Sequence, residues 1–364
     1  MQMKAQTMVL REFKQPLVPE EIEIPALKPG EVLVKLEASG ICGSDVHMWQ
    51  GEDPRTPLPI ILGHEGIGRI AAMNGAHTTV EGDPVHEGDR ILWNRGVTCG
   101  ECFACKVLLM PWLCEHRKVY GINRSREEAP YLNGCYSEYL ILAPRTDLFL
   151  VEDDVDPAIL VSASCSGATA ANAFDAVKID PGDTVVIQGP GPLGVFGAAF
   201  ARKAGAEQVV VIGGSEERLA LCRAFGATHT INRRVHDAEQ RLAFVRGLTH
   251  GRGADIVLEA AGSRGAAQES LNLARSGGTC LMTGYAQPVG AEEIDFYSQV
   301  VRKHVTVKGV WVSDTRHTRH AMRLVLSQPE QFGKLITHRF PLARANEALE
   351  TMKARQALKA VLEF

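Results

Sequence analysis

Cys99, Cys102, Cys105 and Cys114 place four thiols within sixteen residues, three of them separated by two-residue gaps. Thiols spaced this way can converge on one tetrahedral metal ion, because each short turn directs its sulfur inward. Four sulfur ligands leave no open coordination position. The cluster therefore predicts a structural zinc that folds a lobe over about residues 95–118, and no chemistry of its own. A second signature is Gly189-Pro190-Gly191-Pro192-Leu193-Gly194, a G-x-G-x-x-G run. Set between a strand and a helix, such a run receives a dinucleotide. The first glycine permits the tight turn, the second lets backbone approach the pyrophosphate, and the third lets helix and sheet pack closely. The helix that opens at Pro192, which itself has no N–H, adds the Leu193 amide as a donor and its positive dipole end.

The elements that must position this loop are legible around it. Asp183 to Gln188 reads as a buried strand feeding the glycines, Leu193 to Ala204 as a small-residue helix, and Gln208 to Ile212 as a second strand. A helix from Glu216 ends at Gly226, and further strands are expected at Ala254 to Leu258 and Gly278 to Met282. Strands alternating with helices at this spacing predict an α/β domain with a doubly wound parallel sheet, a Rossmann coenzyme domain. The first 150 residues or so have another texture, with short strands broken by Gly and Pro, such as Glu31 to Leu36 and Arg90 to Trp93. After Val305 to Val310 the tail is mixed, with a helix around Ala343 to Ala354.

Composition sets the outer bounds. A chain of 364 residues predicts about two domains. Hydrophobic content of 45%, charged content of 23% and 35 glycines describe a globular protein rich in tight turns. A formal charge of −4 offers no broad basic footprint, so no nucleic-acid partner is expected. Neither a signal-like run nor an 18-residue apolar stretch is present, so no membrane association is expected. Nine cysteines, four of them clustered, fit thiolate metal chemistry in a reducing compartment, and the cytoplasm is the expected location. Cys135, Cys222 and Cys280 read as small buried hydrophobes, and His86, His116 and His317 as solvated.

Two further segments carry a family likeness. Gly40-Ile41-Cys42-Gly43-Ser44-Asp45-Val46-His47 precedes Leu62-Gly63-His64-Glu65-Gly66-Ile67-Gly68. With the cysteine lobe, the glycine loop and the tail Leu335-Ile336-Thr337-His338, they resemble the zinc-dependent medium-chain dehydrogenase/reductases, the alcohol and polyol dehydrogenase family, over essentially the whole chain. The resemblance implies a β-rich, GroES-like catalytic domain over 1–158, a Rossmann domain over 159–311, and a return segment over 312–364 that completes the first. It also implies two zinc ions per subunit and NAD or NADP. Cys42 and His64 match catalytic zinc ligands, and Cys165, at the separation from the glycine loop that the family shares, matches the third. Two sulfurs and one nitrogen are the set that alcohol dehydrogenases use for an open zinc. Glu65 matches a carboxylate near the metal, and Asp45 an acid that orients the histidine ligand. Cys105 and Cys114 enclose eight residues where the family commonly has seven, an insertion a loop tolerates cheaply.

The same likeness implies a mechanism. An alcohol loses hydride to the nicotinamide while its hydroxyl proton leaves through Ser44 and His47, imidazole being suited to proton exchange near neutral pH. Thr169 would touch the nicotinamide, and Val310 would also line the coenzyme site. Gly213 stands where an acid would hold the ribose hydroxyls, while Ser215 and Arg218 could bind a 2′-phosphate and Glu216 and Glu217 oppose one. Arg95 or Asn94 falls on the substrate wall where simpler alcohol dehydrogenases have an aromatic, with Trp49 and Asp53 on the loop after His47. A polar wall suits a polyol or hydroxy acid better than ethanol. The rival readings are an NADPH-dependent aldehyde or ketone reductase of the same family and a member without catalysis. The strand Val305 to Val310 resembles the edge at which two coenzyme domains join, which predicts a homodimer or a homotetramer.

Overall fold

Runs of Val and Ile without polar alternation make strands buried on both faces of a sheet, and the coenzyme-type unit of this chain is built on such runs. The computed structural model describes residues 3–364, which form two compact units: residues up to Cys165 together with Asp314–Phe364, and Ser166–Ser313. The divisions fall a few residues beyond positions 158 and 311.

In Ser166–Ser313 the strands lie in the order His229–Asn232, Gln208–Gly213, Thr184–Gln188, Ala254–Glu259, Ala274–Met282 and Thr306–Gly309, every neighbouring pair parallel. Numbered along the chain this is 3-2-1-4-5-6, the doubly wound dinucleotide order. Val186, Val210, Val257 and Cys280 are fully enclosed in its core, and Cys222 is buried too.

The other unit is β-rich. Its largest sheet runs Leu148–Leu150, Arg90–Trp93, Gly66–Met73, Val32–Ile41, Lys359–Glu363 and Ile336–Pro341, with Tyr139–Leu142 also paired to Val32–Ile41. The C-terminal strand is antiparallel to Val32–Ile41, with Ala360 opposite Ile41 and Val361 opposite Gly40. That register brings Lys359 to the point where the chain leaves the strand toward Cys42. In the lobe, Gly96–Val97 pairs antiparallel with Lys118–Val119.

Two expectations are corrected here. His317 is not solvated: it is fully buried, its Nδ1 lies 2.7 Å from Asp314 Oδ1, and its ring meets Trp112 edge-on at 5.2 Å. The reason is local, since His317 is the third residue of helix Thr315–Leu326 and closes a capping box with Asp314. Trp49 is not on a pocket loop. It ends helix Gly43–Trp49, packs in the core, and donates its indole N–H to Gln15 O at 2.6 Å. His86 and His116 are exposed, as expected.

Candidate active site

Cys42 caps the start of helix Gly43–Trp49, with extended φ −94° and ψ 158°. Asp45, three residues on, returns Oδ2 to the Cys42 N–H at 2.8 Å, while Oδ1 accepts the Gly63 N–H at 3.2 Å. One carboxylate thus ties two chain segments together. Gly63 adopts φ +90°, and a Cβ there would press into the Tyr136 ring, so glycine alone fits the turn that aims His64 inward. Asp45 Oδ1 lies 3.4 Å from His64 Nδ1, close enough to hold the ring although not aligned as a hydrogen bond.

The opposite ring nitrogen, Nε2, lies 3.4 Å from Cys165 Sγ, which in turn is 3.8 Å from Cys42 Sγ. Cys165 follows the 3-10 segment Pro157–Ser164 and is buried. One donor atom from each of Cys42, His64, Glu65 and Cys165 lies within 4.8 Å of the others. Two sulfurs, a ring nitrogen and a carboxylate at such spacing fit a single zinc-sized ion, with Asp45 fixing which nitrogen faces it. Burial works against a charged His64, yet Asp45 outweighs it and raises the imidazole to about 9. The Cys42 thiol is pushed well down, first by its hydrogen bond to Cys165 and against burial, with His64 and Lys359 adding to the effect. The thiolate is the form that binds metal.

Around these ligands stand residues of both signs. Lys359, fully buried, donates to Glu65 Oε2 at 2.7 Å and to Ile41 O at 3.3 Å. Burial disfavours its charge, but Glu65 and the two thiols prevail and keep it protonated. Arg95 Nη1 donates to Cys165 Sγ at 2.8 Å. Asn94 is turned to other work, donating to Thr315 Oγ1 at 2.9 Å and accepting the Gly96 N–H at 3.2 Å. Of the two expected wall residues, Arg95 is therefore the one at the ligand cluster. Asp53 grips Arg55 through both carboxylate oxygens, at 2.9 and 2.5 Å. Ser44 Oγ lies 3.8 Å from Cys42 Sγ, and His47, about one-third exposed, has Nδ1 2.6 Å from Glu52 Oε2.

In the lobe the sulfurs of Cys99, Cys102, Cys105 and Cys114 also lie within 4.8 Å of one another. Backbone N–H groups point at them, from Cys99 to Cys114 Sγ and from Cys102 to Cys99 Sγ, both at 3.4 Å. The amide of Cys105 is the main influence that lowers the Cys102 thiol to about 6. Backbone donors favour the thiolate at Cys99 and Cys102, whereas burial raises the thiols of Cys105 and Cys114; the convergence of the four sulfurs is what fits a closed metal site.

The glycine loop has the form its sequence requires. Gly189 takes φ +105°, and a Cβ on Gly194 would overlap the Gly189 carbonyl. Gly191 caps the twelve-residue helix Pro192–Lys203 and has nothing within 4 Å of where its Cβ would stand, so the helix start is open there. Gly213 ends the second strand, and a Cβ there would strike the Pro190 ring. Ser215 caps the following helix and accepts the Arg218 N–H at 3.4 Å. Arg234 Nε and Arg233 Nε lie 3.3 and 3.5 Å from the Cβ position of Gly214. Thr169 is half-buried on helix Ser166–Asp175, and Val310 is buried, with its N–H on Met282 O at 2.9 Å.

These features have counterparts in known proteins. The alcohol dehydrogenase GroES-like domain profile matches residues 28–153, and the zinc-binding dehydrogenase profile matches 192–327. The 5-exo-hydroxycamphor dehydrogenase of Pseudomonas putida is 33% identical over 354 residues, covering 94% of this chain and 95% of its own. The chain belongs to the zinc-dependent medium-chain dehydrogenase/reductases. An L-threonine 3-dehydrogenase from an Anaeromyxobacter species is 32% identical, with 94% of each chain covered. Among solved structures, an alcohol dehydrogenase from Thermotoga maritima is 49% identical, with TM-score 0.96 and 99% of each chain covered. As a member of this family the protein is an oxidoreductase of the alcohol dehydrogenase type. No helix among the described residues is long and apolar enough to cross a membrane.

Within this dehydrogenase, Cys42, Ser44, Asp45, His64, Glu65 and Cys165 are brought together from three separate stretches of chain. Sequence reasoning did not single out Lys359 beside Glu65, nor Arg233 and Arg234 beside Gly214. A lysine set directly before the apolar run Ala360-Val361-Leu362 of strand Lys359–Glu363 was a usable signal for the first. The arginines carried none, because exposed and buried arginines look alike in a string.

Proposed function

We propose that the protein interconverts a polar alcohol and its carbonyl compound with a nicotinamide dinucleotide, using one zinc at Cys42, His64 and Cys165 and a second at Cys99, Cys102, Cys105 and Cys114. The observation that carries this reading is the convergence of two thiols, an imidazole and a carboxylate within 4.8 Å, with Asp45 braced behind the imidazole. When bound, the zinc supplies a Lewis acid for the substrate oxygen and the nicotinamide a hydride acceptor. The residues do the rest. Asp45 holds His64 with Nε2 toward the sulfurs. Ser44 Oγ accepts the hydroxyl proton beside Cys42, and His47, three residues along the same helix and so on the same face, passes it to solvent from a ring that is partly exposed. Lys359 keeps the buried Glu65 paired.

For the coenzyme, the favoured form is NADP. Gly213 offers no carboxylate to the ribose, Pro190 fills the space one would need, and Arg233 and Arg234 flank Gly214. Glu216, at the start of the following helix, accepts from Asn232 Nδ2 at 2.5 Å. An arginine near this turn accommodates a 2′-phosphate. This coenzyme also suits the reverse reaction, reduction of an aldehyde or ketone. Thr306–Gly309 is an outer strand with all four residues exposed, and pairing it with a second copy gives the homodimer.

Zinc analysis and nicotinamide absorbance test the proposal together. Two zinc ions per chain and alcohol-dependent reduction of NADP in preference to NAD are expected. One zinc, or no reduction of either coenzyme by any polyol or hydroxy acid, would refute it.

A further inference from the structure

Glu259 closes the fourth strand of the parallel sheet, Ala254–Glu259, and lies opposite Gln188, the last residue of the first strand. The strand order reverses between these two, and in such sheets the dinucleotide lies outside the strand ends at that point. Glu259 is fully buried, and every hydrogen bond its carboxylate accepts among the described residues comes from backbone. Oε1 takes the N–H of Ala261 at 2.8 Å and of Gly262 at 2.7 Å, while Oε2 takes that of Gly284 at 3.1 Å. The Gly284 N–H is shared with the Glu259 carbonyl at 3.0 Å, which also receives the Thr283 N–H at 3.0 Å. One residue thus binds the turn after its own strand and the turn after the fifth strand, Ala274–Met282.

The two turns approach too closely for a side chain to stand between them. Gly262 takes φ +59°, and a Cβ on it would lie 2.0 Å from Gly284 O; a Cβ on Gly284 would lie 2.7 Å from Glu259 Oε2. The first of these turns also touches the glycine loop. Ala260 donates its N–H to Gln188 O at 2.9 Å, and the Cβ position of Gly189 is 2.8 Å from Ala260 O and 3.0 Å from Ala261 N. Enclosing a carboxylate is unfavourable unless donors replace its hydration. Burial accordingly lifts this carboxyl above its ordinary value, against the three amides. A group this costly, committed to two turns beside Gly189, points to a task at the coenzyme loop.

We propose that Glu259 is a positioning residue for the coenzyme: through its reach, and not its charge, it holds the two turns that back the Gly189 bend. The proposal rests on the dehydrogenase reading above and deepens its account of the coenzyme site. Without that hold the amides of Ala261 and Gly262 lose their acceptor, and a dinucleotide must order the turn as it binds, which weakens binding.

The parent, Glu259→Gln and Glu259→Asp, all zinc-loaded, separate reach from charge. Gln keeps an oxygen for Ala261 and Gly262, and Gly284 keeps the backbone carbonyl. Binding of NADPH and NADH, read by nicotinamide fluorescence, should therefore stay within about 3-fold of the parent. Asp keeps the charge but draws both oxygens back by one methylene. The dissociation constant of the tighter coenzyme should rise about 10-fold or more, the worth of one charge-assisted bond. In turnover its KM should rise as well, while kcat at saturating coenzyme stays within a few-fold. A purely structural role would instead lower Tm and the folded fraction and leave KM of the folded remainder unchanged. Amide exchange on the coenzyme-free parent needs no variant, and there Ala261 and Gly262 should be protected. Free exchange at both amides overturns the proposal. So does equal coenzyme binding by all three forms, or an impaired Gln variant beside a normal Asp one, and each of these results leaves the dehydrogenase reading standing. A parent that binds neither NADPH nor NADH removes that reading and the proposal together.

Discussion

The two cysteine clusters draw on the same side-chain chemistry and are held in opposite ways. In the lobe, all four donors come from one sixteen-residue stretch, three of the four residues are partly exposed, and the groups aimed at the sulfurs are backbone amides. At the other cluster the donors come from positions 42, 64, 65 and 165, three of the four are buried, and the surrounding groups are charged side chains: Asp45, Lys359 and Arg95. A local cluster needs little beyond its own loop. A dispersed one exists only if the sheet, the C-terminal strand and the 3-10 segment before Cys165 are all in place. The lobe is therefore a local fastener, and the buried cluster is a product of the whole unit, furnished with charges that a fastener would not need.

Removing one sulfur from each cluster tests this contrast most forcefully. Cys42→Ser should abolish turnover, by on the order of 1,000-fold or more, because the ligand set loses a thiolate. Metal analysis should then find one zinc per chain, with the lobe still loaded. Cys102→Ser should also release one zinc but act on stability first, lowering Tm by roughly 5–10 °C as the loop loses its cross-link. Activity of the remaining folded protein should stay within a few-fold of the parent. If both variants lose activity alike while remaining folded, the two clusters are not separable and the contrast fails.

The same contrast explains what could be read from the string. The lobe was legible because its ligands are neighbours in sequence, and spacing alone states the geometry. The glycine loop was legible for the same reason, and so was the 3-2-1-4-5-6 sheet, since alternating strands and helices constrain their own order. Cys165 could be placed only by likeness to a family, because nothing local distinguishes it from the buried Cys135 or Cys280. Lys359 was missed because its partner lies almost 300 residues away, and only the pairing of Ala360 with Ile41 unites them. His317 was misjudged because capping boxes are recognised by Glu or Gln, and here an imidazole fills that role. Long-range register and unusual use of a common residue are what a linear pattern hides.

Lys359→Met sharpens the contrast from the stability side. It removes one member of a fully buried ion pair and leaves the Glu65 carboxylate without its cation. Breaking such a pair costs about 3–5 kcal/mol, whereas replacing both members by apolar groups is often tolerated. Chemical denaturation should find Lys359→Met strongly destabilised, and adding Glu65→Gln should restore part of the loss. No equivalent rescue is expected at the lobe, where the groups aimed at the sulfurs among the described residues are backbone amides. A double variant as unstable as the single would mean that Lys359 acts through packing and not through charge.

The smallest effect concerns pH and the helix that follows the second domain boundary. Asp314 caps Thr315–Leu326, and although burial works to raise its carboxyl, the hydrogen bond from His317 prevails and holds it below the ordinary carboxylate value. A carboxyl whose folded pKa lies below its unfolded value of about 3.9 adds stability that is fully present above that value. The contribution fades as pH falls through the folded value. Asp314→Asn keeps an oxygen acceptor for the cap and removes only the charge, so it isolates this part. Near pH 7 the variant should be less stable than the parent by about 1 kcal/mol or less, in line with a single charge at a helix start. On acidification the two stability curves should converge, and below the folded pKa they should coincide. A gap that stays constant down to pH 2 would locate the effect in the packing or geometry of the cap and not in its charge, because packing does not titrate.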